Sequence, residues 1–220
     1  MPQRSSLARR SFVGACLALC LAVAGAPAAA QQFAAGADYT VLDPAIPTDN
    51  AGKVEVVEFF WYGCPHCYDL EPRLERWVEK LPKDVEFRRV PAPFNKQWAV
   101  AGRVYYTMES LGVVEKHHTA LFDAIHKDGL RITNERAMTD WIGRRGVDAQ
   151  KYSAAYRSFA VESKLKRAAQ LTQASRIDGV PALMVNGKYV VSAQQGQTRE
   201  RMLAIADHLI ARSRQEMAKK

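Results

Sequence analysis

Phe59-Phe60-Trp61-Tyr62-Gly63-Cys64-Pro65-His66-Cys67 ends a segment that begins at Val54. From Val54 to Phe60 the residues are mostly β-branched or aromatic, which reads as a buried strand. Two acids interrupt it. Glu55 is expected to face outward, and Glu58 is the odd residue within the run. Trp61 to Gly63 reads as a turn. Cys64-Pro65 opens a helix, because proline has no amide hydrogen to lose at the first helical position. Leu70, Leu74, Trp77, Val78 and Leu81 recur at helical spacing, and Pro82 ends the pattern. Val85 to Val90 alternates as a second strand. Strand, helix and strand in so short a span imply a parallel pair with a right-handed crossover. A cysteine pair thus lies at a helix start, directly after a buried strand.

Upstream, Arg4, Arg9 and Arg10 precede an apolar run from Ser11 to Gly25, and the small residues Ala28-Ala29-Ala30 follow. A positive head, a short apolar run and an A-x-A end read as a cleavable secretory signal over residues 1–30. Arg9-Arg10 resembles a twin-arginine signal and Val13 to Cys16 a lipoprotein box, but the general secretion route fits the flanking residues better. Export into an oxidising compartment follows as the expected localisation. The chain has 220 residues, 48% hydrophobic and 25% charged, which excludes disorder and a fibrous repeat. Without residues 1–30 the formal charge falls from +8 to +5, since three arginines and no acid leave. Cys16 and Cys20 leave too, so Cys64 and Cys67 are the remaining pair. The basic residues are scattered among acids, which disfavours nucleic-acid binding.

Downstream, strand signals vanish between Gln97 and Gln173. Helices are expected at Gln97–Leu111, Val114–Lys127, Asn134–Arg144, Asp148–Ser158 and Glu162–Ser175, with Asn134 and Asp148 as caps. Trp98, Trp141, Tyr105 and Phe122 are expected in the core of this block. Two apolar runs then flank Asn186-Gly187, a strong hairpin signal. Thr198 to about Met217 reads as a closing amphipathic helix. A short edge strand is possible at Tyr39 to Leu42.

The chemistry follows from the place of Cys64. The first-turn amides of a helix are unpaired and its dipole is positive there. A protonated His66 adds charge. All three favour the thiolate, so the Cys64 pKa should fall. Cys67 lies one turn further in without such help. Cys64 is therefore expected to exchange with partners and Cys67 to resolve the mixed disulfide. A fall to about 4 would stabilise the dithiol by roughly 4 kcal/mol at neutral pH, or roughly 90 mV of oxidising potential. The gain holds above the depressed pKa and is lost as pH falls through it. A zinc site is disfavoured because four ligands are needed and only one cysteine pair is present. A purely structural disulfide closing so small a loop would be a poor staple.

Cys64-Pro65-His66-Cys67-Tyr68, Gly179-Val180-Pro181 and the hairpin Asn186-Gly187-Lys188-Tyr189 resemble the DsbA family of thioredoxin-fold disulfide oxidases. A low-pKa cysteine and an oxidising potential are known hallmarks of that family. The resemblance implies an α/β class, a thioredoxin fold with an inserted all-helical domain. Its parts would be 38–96 and 174–220, with the insertion at 97–173. It implies a periplasmic oxidase, an active-site disulfide Cys64–Cys67 in place of any separate cofactor, and a cis Pro181 against the cysteine pair. Val180 would accept a substrate peptide as an added strand, and valine there resembles the oxidase branch. Exported proteins with free cysteines would be substrates, and a DsbB-type quinone-linked membrane protein the reoxidant, acting on a monomer. Glu58 matches the family's buried acid, and Arg89 stands where the family more often has lysine. Glu58 either pairs or relays protons near Cys67, or it reaches solvent from a strand end. Trp61 and Tyr62 either line a substrate surface or pack in the core. A disulfide isomerase or reductase on the same fold, and a peptide-binding chaperone with an incidental disulfide, are the alternatives.

Overall fold

The computed structural model describes residues 32–132 and 134–219; the secretory-signal reading concerns residues outside that range. The central strand, β2 (Val54–Phe60), buries all seven of its side chains. A strand with no solvent face must be covered on both sides. On one edge β3 (Val85–Pro91) runs parallel to it, with Glu58 opposite Arg89. On the other, β4 (Ala182–Val185) runs antiparallel, then β5 (Tyr189–Ser192), then β1 (Thr40–Val41) at the edge, giving the order β1-β5-β4-β2-β3.

The two faces separate by the period of two along a strand. Val54, Val56, Leu183 and Val185 pack with Leu70 and Leu74 of α1 (Pro65–Val78) and with Met202, Ile205 and Leu209 of α8 (Arg199–Met217). Val57, Phe59, Ala182 and Met184 face the opposite way, toward Val104, Met108, Leu121 and Phe122. Each such large side chain is worth about 1.5–3 kcal/mol when fully buried. This packing fixes the end of β2, and the cysteine pair follows directly from it.

Among the described residues five helices lie between β3 and β4: α2 (Lys96–Ser110), α3 (Val114–His126), α4 (Glu135–Gly143), α5 (Ala149–Tyr156) and α6 (Phe159–Ala174). The predicted caps hold: Asn134 accepts from the Ala137 amide at 3.0 Å and Asp148 from that of Lys151 at 2.9 Å. The start of α6 lies three residues before the expected Glu162. Ser158, expected to end the preceding helix, instead caps α6 by accepting from the Val161 amide at 3.2 Å. In turn, α1 ends at Val78 rather than Leu81, with Pro72 inside it. A further short helix, α7 (Ala193–Gly196), is held by reciprocal Ser192 and Gln195 capping; four residues are too few to show a helical period. Glu55 does not face outward. It is 3% exposed and accepts two hydrogen bonds from the Arg88 guanidinium, at 2.9 and 3.3 Å.

The hairpin between β4 and β5 turns on Asn186 and Gly187, with φ of 52° and 62°. Two successive positive φ values match the twist of paired strands. Gly187 has a second reason to be glycine: its carbonyl accepts from the Ile46 amide at 2.8 Å, and a Cβ there would lie 1.9 Å from the Ile46 carbonyl oxygen. Gly187→Ala is expected to cost at least about 2 kcal/mol, from left-handed backbone strain plus the displaced Ile46 segment. Urea unfolding of the purified variant measures it through a lowered midpoint.

Candidate active site

Cys64 caps α1 with an extended backbone (φ −87°, ψ 116°), and Pro65 opens the helix. The Cys64 amide donates to the Trp61 carbonyl at 3.0 Å, which closes the turn. Both thiols are free and buried: Cys64 is 7% exposed and Cys67 fully enclosed. Pro65 and His66 are exposed. The Val180–Pro181 peptide is cis. It brings the Val180 carbonyl to 3.5 Å from Cys64 Sγ.

The Cys64 thiol ionises at about 6, against an ordinary 9.0. The largest cause is a hydrogen bond from the Cys67 thiol, followed among the favourable ones by the amides of Cys67 and His66 and the charge of His66, while burial opposes them. Burial pushes the Cys67 thiol well up, reinforced by Cys64 and by Glu58. The sequence reading had the direction and the amides right, but not the Cys67 thiol as donor. The fall stops at about 6, so the gain in the dithiol at neutral pH is at most about one decade, or ~30 mV, rather than three.

Beneath the pair lies a buried charge cluster. Glu58 is 0% exposed, so it does not reach solvent. Its Oε2 lies 3.2 Å from Arg89 Nε. Arg89 donates to Glu71 Oε1 at 2.6 Å, and His118 Nε2 lies 3.4 Å from the same oxygen. His118 Nδ1 meets the Tyr62 hydroxyl at 2.7 Å. Two carboxyls share one guanidinium, and they divide unequally. Burial pushes the Glu58 carboxyl up, the charge of Glu71 adds to this, and Arg89 opposes it. Burial also acts on Glu71, but His118 and Arg89 outweigh it and hold that carboxyl down. Neither Glu58 oxygen has a hydrogen-bond partner in the protein, which suits a protonated acid better than a carboxylate. Glu71 was missed from sequence, although Cys67, Leu70, Glu71 and Leu74 trace the buried stripe of α1. His118 carried no signal.

The aromatic residues divide differently from expectation. Tyr62 is 0% exposed, so its side chain lines no surface. Trp61 is half-buried and stacks on Trp98, centroids 4.3 Å apart and planes 6° off parallel. Trp98 therefore sits at the site rather than in the block's core, and exposed Phe94 meets it edge-on at 5.3 Å. Trp61, Gly63, Gln97, Ile125 and Ile132 help to line a cavity of about 210 Å³. A larger one of about 410 Å³, beside Ile46, Arg88, Tyr106 and Arg167, contains neither cysteine. Among the described residues no cluster of histidine, cysteine and carboxylate side chains could hold a metal ion.

Arg89→Met would leave Glu58 without an ion-pair partner in the interior and Glu71 with His118 alone. Removing one partner of a buried pair costs about 3–5 kcal/mol. With the cation gone, both carboxyl pKa values rise in the folded state, so the deficit is smallest below about pH 4.5 and grows as pH rises. Denaturant unfolding at pH 4 and at pH 7.5 measures the difference.

Residues 89–204 match the family described as DSBA-like thioredoxin domain. The thiol:disulfide interchange protein DsbA of Pseudomonas aeruginosa is 42% identical over 190 residues, covering 86% of this chain and 90% of that protein. That of Azotobacter vinelandii is 45% identical over 179 residues, covering 81% and 84%. The crystal structure of Pseudomonas aeruginosa DsbA superposes with a TM-score of 0.82, at 42% identity, over 86% of this chain and 97% of that one. The Xylella fastidiosa oxidoreductase DsbA superposes with a TM-score of 0.78, at 34% identity, over 82% and 97%.

Proposed function

The chain belongs to the DsbA family of thiol:disulfide oxidoreductases, with a thioredoxin fold carrying an inserted helical domain, and from that premise we propose how its residues carry out disulfide donation. A substrate thiolate attacks Cys64 Sγ of the Cys64–Cys67 disulfide. The S–S bond breaks, and Cys67 leaves as a thiolate that takes up a proton. A second substrate thiolate then attacks the substrate sulfur of the mixed disulfide and expels Cys64. The substrate dithiol is oxidised by two electrons and the enzyme disulfide reduced by two. The observation that carries this reading is the asymmetry of the thiols: Cys64 ionises at about 6, while Cys67 stays protonated well above its ordinary value. A comfortable Cys64 thiolate is a good leaving group.

Supporting roles follow from position. Pro65 fixes the helix start, and His66 supplies an amide and a charge. Glu58 holds a proton that can pass to the Cys67 thiolate, and Arg89 keeps the Glu58–Glu71 pair tolerable in the interior. An extended peptide would add as a strand at Val180 and Pro181, a reading supported by the Val180 carbonyl lying 3.5 Å from Cys64 Sγ. Trp61, stacked on Trp98, offers an apolar surface next to that strand; Tyr62 does not share it. The active-site disulfide is the only redox group this scheme needs. Among the described residues no helix is long and apolar enough to cross a membrane. A periplasmic setting after removal of residues 1–30, a monomeric state, exported proteins with free cysteines as substrates and a DsbB-type reoxidant complete the reading. The boundaries 38–96, 97–173 and 174–220 belong to it as well.

Cys64→Ser is expected to abolish oxidation of a reduced peptide with two cysteines. Cys67→Ser, given glutathione disulfide, is expected to accumulate a mixed disulfide at Cys64 with release of one glutathione thiol, visible by intact mass. Full oxidative-folding activity in Cys64→Ser would favour a chaperone instead. A glutathione equilibrium as reducing as that of thioredoxin would reject the oxidase reading.

A further inference from the structure

Tyr62 is held at both ends by one helix. His126 Nε2 lies 2.8 Å from the Tyr62 carbonyl oxygen, and a carbonyl can only accept, so that nitrogen carries the proton. The Tyr62 hydroxyl meets His118 Nδ1 at 2.7 Å. The two histidines are eight residues apart on α3, about two helical turns along one face. Between them Phe122 packs against the Tyr62 ring at 5.0 Å.

The His126 ring is itself fixed. It stacks on Tyr68, centroids 4.6 Å apart and planes 5° off parallel. The Tyr68 hydroxyl donates to Asp123 at 2.6 Å, and the Tyr68 amide donates to the Cys64 carbonyl at 3.1 Å. His126 therefore sits between the turn that precedes Cys64 and the first turn of α1 that follows it. The thiolate depends on amides of that first turn, and such hydrogen bonds weaken steeply with misalignment.

We propose that His126 and His118 are positioning residues for disulfide exchange: they fix Tyr62 at its carbonyl and its hydroxyl, and so hold the turn that presents Cys64 at the start of α1. This rests on the oxidase reading and assigns α3 of the helical block a part in it. Neither histidine touches the reacting sulfurs; His126 acts through Tyr62, and because His118 also meets Glu71, Tyr62→Phe is the variant that isolates its contact with the Tyr62 hydroxyl.

The test is the equilibrium of the whole protein with glutathione. His126→Phe keeps a ring to stack on Tyr68 but removes the donor. His118→Ala removes the hydrogen-bond partner of the Tyr62 hydroxyl. Each is expected to shift the equilibrium toward the oxidised protein by about threefold, part of the decade the Cys64 thiolate supplies. His126→Gln, whose amide nitrogen replaces Nε2, and His118→Asn, whose side-chain amide replaces Nδ1, should restore it. A role in packing alone would weaken both redox forms alike and leave the equilibrium unmoved. Folded His126→Phe and His118→Ala proteins at the native equilibrium would overturn the proposal, as would failure of the Gln and Asn variants to restore it. If the first two variants do not fold, Tyr62→Phe, which removes only the hydroxyl, decides by the same shift or its absence. A native protein with a reducing equilibrium would sink the oxidase reading, yet the difference between native and variant proteins would still read the clamp.

Discussion

The negative charge on one sulfur governs the site. Cys64 lies at a helix start, where backbone amides have no helical partner. It also accepts from the thiol of Cys67, one turn further in. Burial works against the charge, and the donors prevail. The fold exists around this point in a concrete sense. A strand buried on both faces ends at Phe60, a three-residue turn follows, and α1 begins at Pro65. Packing of β2 between α1 and α8 on one face and the helical block on the other sets where that sulfur lies.

The interior beneath it is electrostatically tense. Glu58 and Glu71 share Arg89, and His118 supports Glu71. Buried charges of this kind stabilise a fold less than apolar groups of the same volume would. Burial and the neighbouring Cys64 sulfur keep Cys67 neutral while Cys64 is charged. The two cysteines have the same chemistry in isolation, and the environment gives them different roles.

Much of this was legible in the sequence because it is local. Period-two and period-3.6 patterns marked β2, β3 and α1, and Asn186-Gly187 marked the hairpin. The side chains of Asn134 and Asp148 marked their helix starts. What was not legible depends on contacts between distant segments. Glu55 looked like an outward residue because its partner Arg88 lies on another strand. Tyr62 stayed open between surface and core because a turn has no period to show which way a side chain points, and its partner His118 lies in the helical block. Ser158 read as the end of one helix because a single serine between two helical patterns does not show which of them it belongs to; it caps the second.

The most direct measurement is the ultraviolet absorbance of thiolate in the reduced protein as pH is raised. One sulfur should ionise near 6, and no second ionisation should follow until well above 9. Two sulfurs ionising together near the ordinary cysteine value would contradict the account, because neither would then be a better leaving group than the other.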